Sequence, residues 1–183
     1  MITLRKIATT LTCITLLFTM ASCAKADPQD IIKAADAYSK SVQELDGEKL
    51  IELTKGLDDK ASKDLRDRLD LSKLKHDDAL VKQAIADTIT YKVDESSVKI
   101  NGKTASCAVT FSVVNIDKRP KKLVDNADEF VRIIKELTER DTFTITLTFE
   151  KVDGRWLASA DTPDKFEDLY YFLDAIFDFV PNP

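Results

Sequence analysis

The stretch from Asp141 to Val152 constrains the fold of this chain more than any other. Phe143, Ile145, Leu147 and Phe149 alternate there with Thr142, Thr144, Thr146 and Thr148. Successive side chains of a strand point to opposite faces, so strict alternation makes one face apolar and the other hydroxylic. Threonine is β-branched, favours extended backbone and tolerates water. The strand therefore belongs to a sheet with one wet face, and its dry face packs on something else in the chain.

More of the sheet is legible on either side. Asp153-Gly154 turns this strand into Arg155-Trp156-Leu157-Ala158-Ser159. Upstream, Thr88–Val93 and Ser97–Ile100 alternate as two short strands, Asn101-Gly102 is a hairpin signal, and a long strand is expected from Thr104 to about Ile116.

Helices supply the cover. Asp27-Pro28-Gln29-Asp30 opens one, with a capping acid, proline in the first turn and a second acid to meet the helix dipole. Ile31, Ala35, Tyr38, Val42 and Leu45 then recur at helical spacing until Asp46-Gly47 breaks the run. Further helices are expected from about Glu48, across Leu57–Leu74, and around Leu80–Ile85 after an interruption at His76-Asp77-Asp78. A helix opened by Pro120 carries the stripe Leu123, Ala127, Phe130, Ile134 and Leu137 between the two long strands. A last helix runs from Pro163 to about Val180 with Phe166, Leu169, Tyr170, Leu173, Ile176, Phe177 and Val180 on one side. Phe172 and Phe179 widen that stripe beyond one packing surface and are candidates for contact with a protein partner or a second copy.

The first residues read differently. A short basic start (Arg5, Lys6), an apolar run from Ile7 to about Met20 and small residues before a cut site have the form of a secretory signal. Met20-Ala21-Ser22-Cys23 resembles the lipobox of bacterial lipoproteins. The resemblance implies cleavage after residue 22, acylation of Cys23 and a short tether over residues 23–26. It also implies an extracytoplasmic protein anchored to the membrane. In a two-membrane cell, Ala24 in place of aspartate favours the outer membrane by similarity to enterobacterial sorting.

After such cleavage 161 of the 183 residues remain, enough for one α+β domain over residues 27–183. The segment takes Arg5 and Lys6 and no acid from 27 basic and 32 acidic residues, which leaves 25 against 32 and a formal −7. That balance argues against a nucleic-acid partner. It also leaves membrane attachment to the acyl chains rather than to charge. Cys13 and Cys23 are accounted for, so Cys107 stands alone, reads as a small buried apolar residue, and the domain must fold without an internal disulfide.

Helices first, then hairpins, with Ala35-x-x-Tyr38, the Leu45-Asp46-Gly47-Glu48-Lys49-Leu50 break and the late Asp153-Gly154-Arg155-Trp156 turn, resemble small lipoproteins of the nuclear transport factor 2-like superfamily. The resemblance covers most of Asp27–Ser159. It implies N-terminal helices packed on a curved antiparallel sheet to form a cone with a pocket at its wide end, Tyr38, Tyr91 and Trp156 being candidates for its lining. The inserted helix and the C-terminal helix are additions to that plan, and either could cap the mouth.

Chemistry is harder to find. Enzymes of that superfamily work with acids and tyrosines or a His-Asp pair, whereas the single histidine here, His76, reads as a solvated helix cap. Asp58, Asp59, Asp64, Asp67 and Asp70 interleave with Lys60, Lys63, Arg66 and Arg68, which reads as a salt-bridged helix face rather than a calcium loop. No catalytic residue, metal or cofactor is expected. Lys118-Arg119-Pro120-Lys121-Lys122 is either a solvated loop or a contact to lipid headgroups or an anionic wall polymer. Three readings follow: a non-enzymatic ligand-binding or accessory module of the envelope, its small-molecule ligand unspecified; a scaffold lipoprotein acting through protein contacts; and a cone enzyme. A deep cavity with an apolar lining favours the first, a filled cone with an exposed aromatic patch the second, and a buried Asp or His facing the cavity the third.

Overall fold

The computed structural model describes residues 27–118 and 126–175. The chain runs α1 (Pro28–Gln43), α2 (Gly47–Glu52), α3 (Asp59–Leu69), α4 (His76–Ala86), β1 (Thr90–Asn101), β2 (Thr104–Val114), α5 (Ala127–Glu136), β3 (Arg140–Val152), β4 (Arg155–Ala158) and α6 (Glu167–Ala175). A 3-10 turn, Pro163–Phe166, leads into α6. The strands form a curved, open antiparallel sheet in the order β1-β2-β3-β4, with helices on one side. This is the α+β arrangement expected from the alternation in β3. Among the described residues, no helix is long and apolar enough to cross a membrane.

Register fixes which side is dry. Ala105 faces Phe149, Cys107 faces Leu147, Val109 faces Ile145 and Phe111 faces Phe143 across β2 and β3. All eight lie on one face, and all are buried except half-buried Phe143. The opposite face carries Thr142, Thr144 and Thr146 exposed, and the hydroxyls of Thr110 and Thr144 meet there at 2.9 Å. Helix α1 crosses the dry face, touching β1, β2 and β4 with its Ile31, Ala35, Tyr38 and Val42 stripe buried. Its N-terminus is built as expected: the Asp27 carboxylate accepts from the Gln29 amide at 2.9 Å. The segment after α2 extends the sheet beyond β4, with Lys55 N–H donating to the Ala158 carbonyl (2.7 Å) and Ala158 N–H to that of Leu53 (2.8 Å).

Several expected boundaries shift. The break after α1 falls at Leu45, in the left-handed region at φ 54°, and Asp46 caps α2 by accepting from the Lys49 amide. Gly47 is required for another reason: a Cβ there would sit 3.3 Å from the Arg66 Cα and 3.4 Å from the Leu65 carbonyl. His76-Asp77-Asp78 does not interrupt; it forms the first turn of α4, His76 and Asp77 exposed and Asp78 half-buried, where acids meet the positive helix end. The two alternating stretches join in one strand, β1, which starts at Thr90 and has an irregularity between Asp94 and Lys99. Asp94 there accepts from Ser96, and Ser97 bridges the Asp94 carbonyl to the Ala108 amide, which holds the bulge without ending the strand. The β1–β2 loop is Gly102-Lys103 rather than Asn101-Gly102, since Asn101 pairs with Thr104. Gly102 at φ 60° takes the first loop position, as a type II′ turn demands. Helix α5 begins at Ala127, because Asn126 is fully extended (φ −158°, ψ 168°) and its side chain accepts from the Glu129 amide. A helix opened at Pro120 cannot run through that residue.

The signal-like segment, Cys23, Arg119 to Lys122, Leu123 and Ile176 to Val180 lie outside the described residues. Cys107 is 0% exposed, has no cysteine partner, and burial pushes its thiol up from the ordinary value. Thermal melts of the full chain with and without reductant and chelator are therefore expected to coincide. A loss of several degrees under either treatment would mean that a thiol or a metal contributes to the fold.

Candidate binding cleft

Among the described residues, aromatic rings from α1, β2, the 3-10 turn and α6 meet on the dry face of the sheet. Phe166, from the 3-10 turn, meets Phe111 of β2 edge-on at 5.2 Å, Tyr38 of α1 at 5.9 Å and Tyr170 of α6 at 6.1 Å. Phe111 stacks in turn on Phe143 at 5.7 Å and leans on Tyr91 at 6.0 Å. The structure thus places the expected pocket residues apart. Tyr38 is buried at one end of this array. Tyr91, half-buried at the other, donates its hydroxyl to Asp36 at 2.9 Å, and desolvation aided by that carboxylate pushes it up to about 12. Trp156 is buried on β4, with the Lys151 ammonium 5.5 Å from its ring centre. Phe172 lies on α6, but its side chain, like all of Phe179, is outside what is described.

Among the described residues, the buried polar side chains are Ser39, Ser41, Thr54, Lys82 and Thr162. Lys82, 2% exposed on α4, donates to the Arg68 carbonyl at 2.8 Å. No group of three or more histidine, cysteine or acidic side chains able to hold a metal occurs among the described residues. His76 is exposed at the start of α4.

A cleft of about 520 Å³ opens between α3 and the 160–170 segment. Helical spacing puts Ala61, Asp64, Leu65 and Arg68 on one wall and Pro163, Asp164 and Glu167 on the other, with Tyr170 between them. Arg68 lies over the Tyr170 ring, 5.6 Å from its centre. The acids of this neighbourhood divide into two kinds. Asp67 is claimed by the Lys63 and Lys73 ammonium groups, whose hydrogen bonds hold its carboxyl down at about 2. Asp161 pairs with Lys165 at 3.2 Å. Asp64, Asp164 and Glu167 make no ion pair among the described residues.

Tyr170 is 2% exposed, its hydroxyl has no hydrogen-bond partner, and burial pushes it far above its ordinary value. The Tyr38 hydroxyl is also unpartnered; Thr54 lies near it but donates its own hydroxyl to the Leu50 carbonyl at 2.7 Å. A buried polar group left unpaired costs about 1–3 kcal/mol, so orphans gathered at one place ask for a reason.

Asp64 and Arg68 are expected as parts of a salt-bridged helix face and Tyr170 as core, and both descriptions hold in part. Lys63–Asp67 and Lys73–Asp67 are such pairs. What sequence reading missed is that α3 faces the 160–170 segment. The only linear trace is the matched three- and four-residue spacing on two distant stretches, and nothing in it pairs them.

No protein-family model matches this chain, and no curated protein matches it significantly. Among solved structures it is similar to an LEH-like epoxide hydrolase of M. tuberculosis, at 14% identity over 85% of this chain and 96% of that one, with a TM-score of 0.33. A likeness of that depth says nothing about chemistry.

Proposed function

We propose that this protein is an exported, lipid-anchored accessory module of the cell envelope that works by contact at its surface and not by conversion of a substrate inside its cone. The observation that carries the second half is the filled interior. Phe111, Phe166, Tyr38 and Tyr170 occupy the space in which a cone ligand would lie, and all four are buried. Among the described residues, a ligand in that space would have to displace large core side chains, which costs several kcal/mol for each. The anchored half rests on Met20-Ala21-Ser22-Cys23 behind a short apolar run.

Of the readings weighed from sequence, a scaffold acting through protein contacts is favoured over a ligand held within the cone. Phe172 and Phe179 stay in the proposal as part of a contact surface for a partner or a second copy. The anchor is tested by feeding cells an alkyne fatty acid and comparing wild type with Cys23→Ser. Wild type is expected to take the label and the variant to lose it; equal labelling of both would end the lipoprotein reading.

A further inference from the structure

We infer that the outer edge of β1 pairs antiparallel with the same edge of a second copy, centred on Val93, so that two four-stranded sheets join across a two-fold axis. The inference goes beyond the surface-acting reading above and depends on neither the anchor at Cys23 nor the C-terminal helix.

The phase of the ladder shows which groups are open. β1 is the outermost strand of its sheet. In an antiparallel pair, alternate residues turn N–H and C=O toward the neighbouring strand and the residues between turn theirs away. Odd-numbered residues of β2 face β3, because the same register is continued by Asn115 N–H on the Glu139 carbonyl (2.9 Å) and Lys151 N–H on the Lys103 carbonyl (2.8 Å). Even-numbered residues of β2 therefore face β1, and Val114 N–H accordingly donates to the Thr88 hydroxyl at 3.3 Å. Register then turns Thr90, Lys92 and Asp94 toward β2, and Tyr91 and Val93 outward. On this outer edge the Ile89 carbonyl is taken by the Gln43 side chain at 2.6 Å. The backbone groups of Tyr91 and Val93 have no partner among the described residues.

An edge with open groups is a template for another strand. This one is short, since Gln43 closes it at Ile89 and the stapled bulge ends it after Asp94. Symmetry leaves three ways to centre a second copy on it. Centring on Tyr91 would need the Ile89 carbonyl. Centring on Lys92 would set two lysines directly opposite, which destabilises a pair. Centring on Val93 instead puts each Lys92 opposite the other copy's Asp94 on the wet face, two opposite-charge contacts for one register. Both side chains are exposed, and neither makes an ion pair among the described residues. Asp94 uses only Oδ1 on Ser96, which leaves Oδ2 for the incoming ammonium. A hollow of about 480 Å³, lined by Lys92, Val93, Asp94, Glu95, Ser96 and Thr110, gives that side chain room.

Sedimentation of the full chain in detergent should show a reversible dimer. Lys92→Glu sets acids opposite each other and should weaken the dimer about tenfold or more, and Asp94→Lys should do so with lysines. Mixing these two variants restores opposite charge at both contacts, so the mixture should dimerise where neither variant does alone. Val93→Pro removes an outward N–H without touching the ladder to β2, and it should also dissociate the dimer. Val93→Cys should give a covalent dimer under mild oxidation, because the Cα atoms of such a pair lie about 5.5 Å apart, and Lys99→Cys should not. Circular dichroism checks that each variant is folded. The inference is overturned if wild type stays monomeric, if the dimer survives Lys92→Glu, or if the folded variants fail to dimerise when mixed. It is also overturned if only Phe172→Ser with Phe179→Ser dissociates the dimer, which would assign the interface to the C-terminal helix. Tyr91 and Val93 amides that resist hydrogen exchange in monomeric Lys92→Glu would overturn it too, since a segment of the same chain would then cover the edge.

Discussion

Phe166→Ala is expected to destabilise the protein by about 3–5 kcal/mol, measured as a shift in the urea midpoint at unchanged slope. Phe166 is 0% exposed and sits among Phe111, Tyr38 and Tyr170, so removing its ring leaves a cavity bordered by three aromatic faces and not by a collapsible loop. Aromatic pairs of this geometry add about 0.5–1.5 kcal/mol beyond the area that they bury. For a domain whose whole stability is about 5–15 kcal/mol, such a loss is close to the limit of folding. Thr146→Ala, on the wet face of β3, should stay within about 0.5 kcal/mol and serves as the control. A cost below about 1 kcal/mol for Phe166→Ala would mean that the 160–170 segment does not seal the core, and the filled-interior argument would go with it.

The second large effect comes from two adjacent positions given the same change. Leu147→Asp should prevent folding, whereas Thr146→Asp should leave a folded protein. Leu147 is fully buried opposite Cys107, and an aspartate there would be a desolvated carboxylate within the core. An uncompensated buried charge costs about 3–5 kcal/mol or more. Thr146 is exposed, and its replacement pays only the strand preference, within about 1 kcal/mol. Soluble yield and circular dichroism distinguish the two. The reverse outcome would place β3 one residue out of register, because a slip of one exchanges its faces.

These contrasts show which features are written locally. The faces of β3, the buried stripe of α1 and the Asp27 cap depend on side-chain period and on contacts a few residues apart, so they can be read along the chain. Boundaries were less legible, and several of the shifts have causes that are not local. The chain turns at Leu45, in the left-handed region, and Gly47 follows where α2 packs closely on α3. The alternation in β1 is interrupted by a stapled bulge whose second anchor, the Ala108 amide, belongs to the next strand. The hairpin moves by one residue because pairing with β2 decides which position glycine must fill.

The sequence by itself determined that this chain makes a one-sided sheet with helices on its dry face, since hydrophobic periodicity selects strand or helix and names the side to be buried. Tertiary structure alone decided that, among the described residues, aromatic rings meet between α1, the sheet and α6. Tyr38, Phe111, Phe166 and Tyr170 are each plausible core or pocket residues until their rings are seen to meet. Asp64 and Asp67 are alike on α3 in sequence and both line the cleft, yet Lys63 and Lys73 converge on Asp67 and not on Asp64. Which carboxylate is neutralised depends on what the fold brings across from it, and pairings between distant segments leave no period in the chain to read.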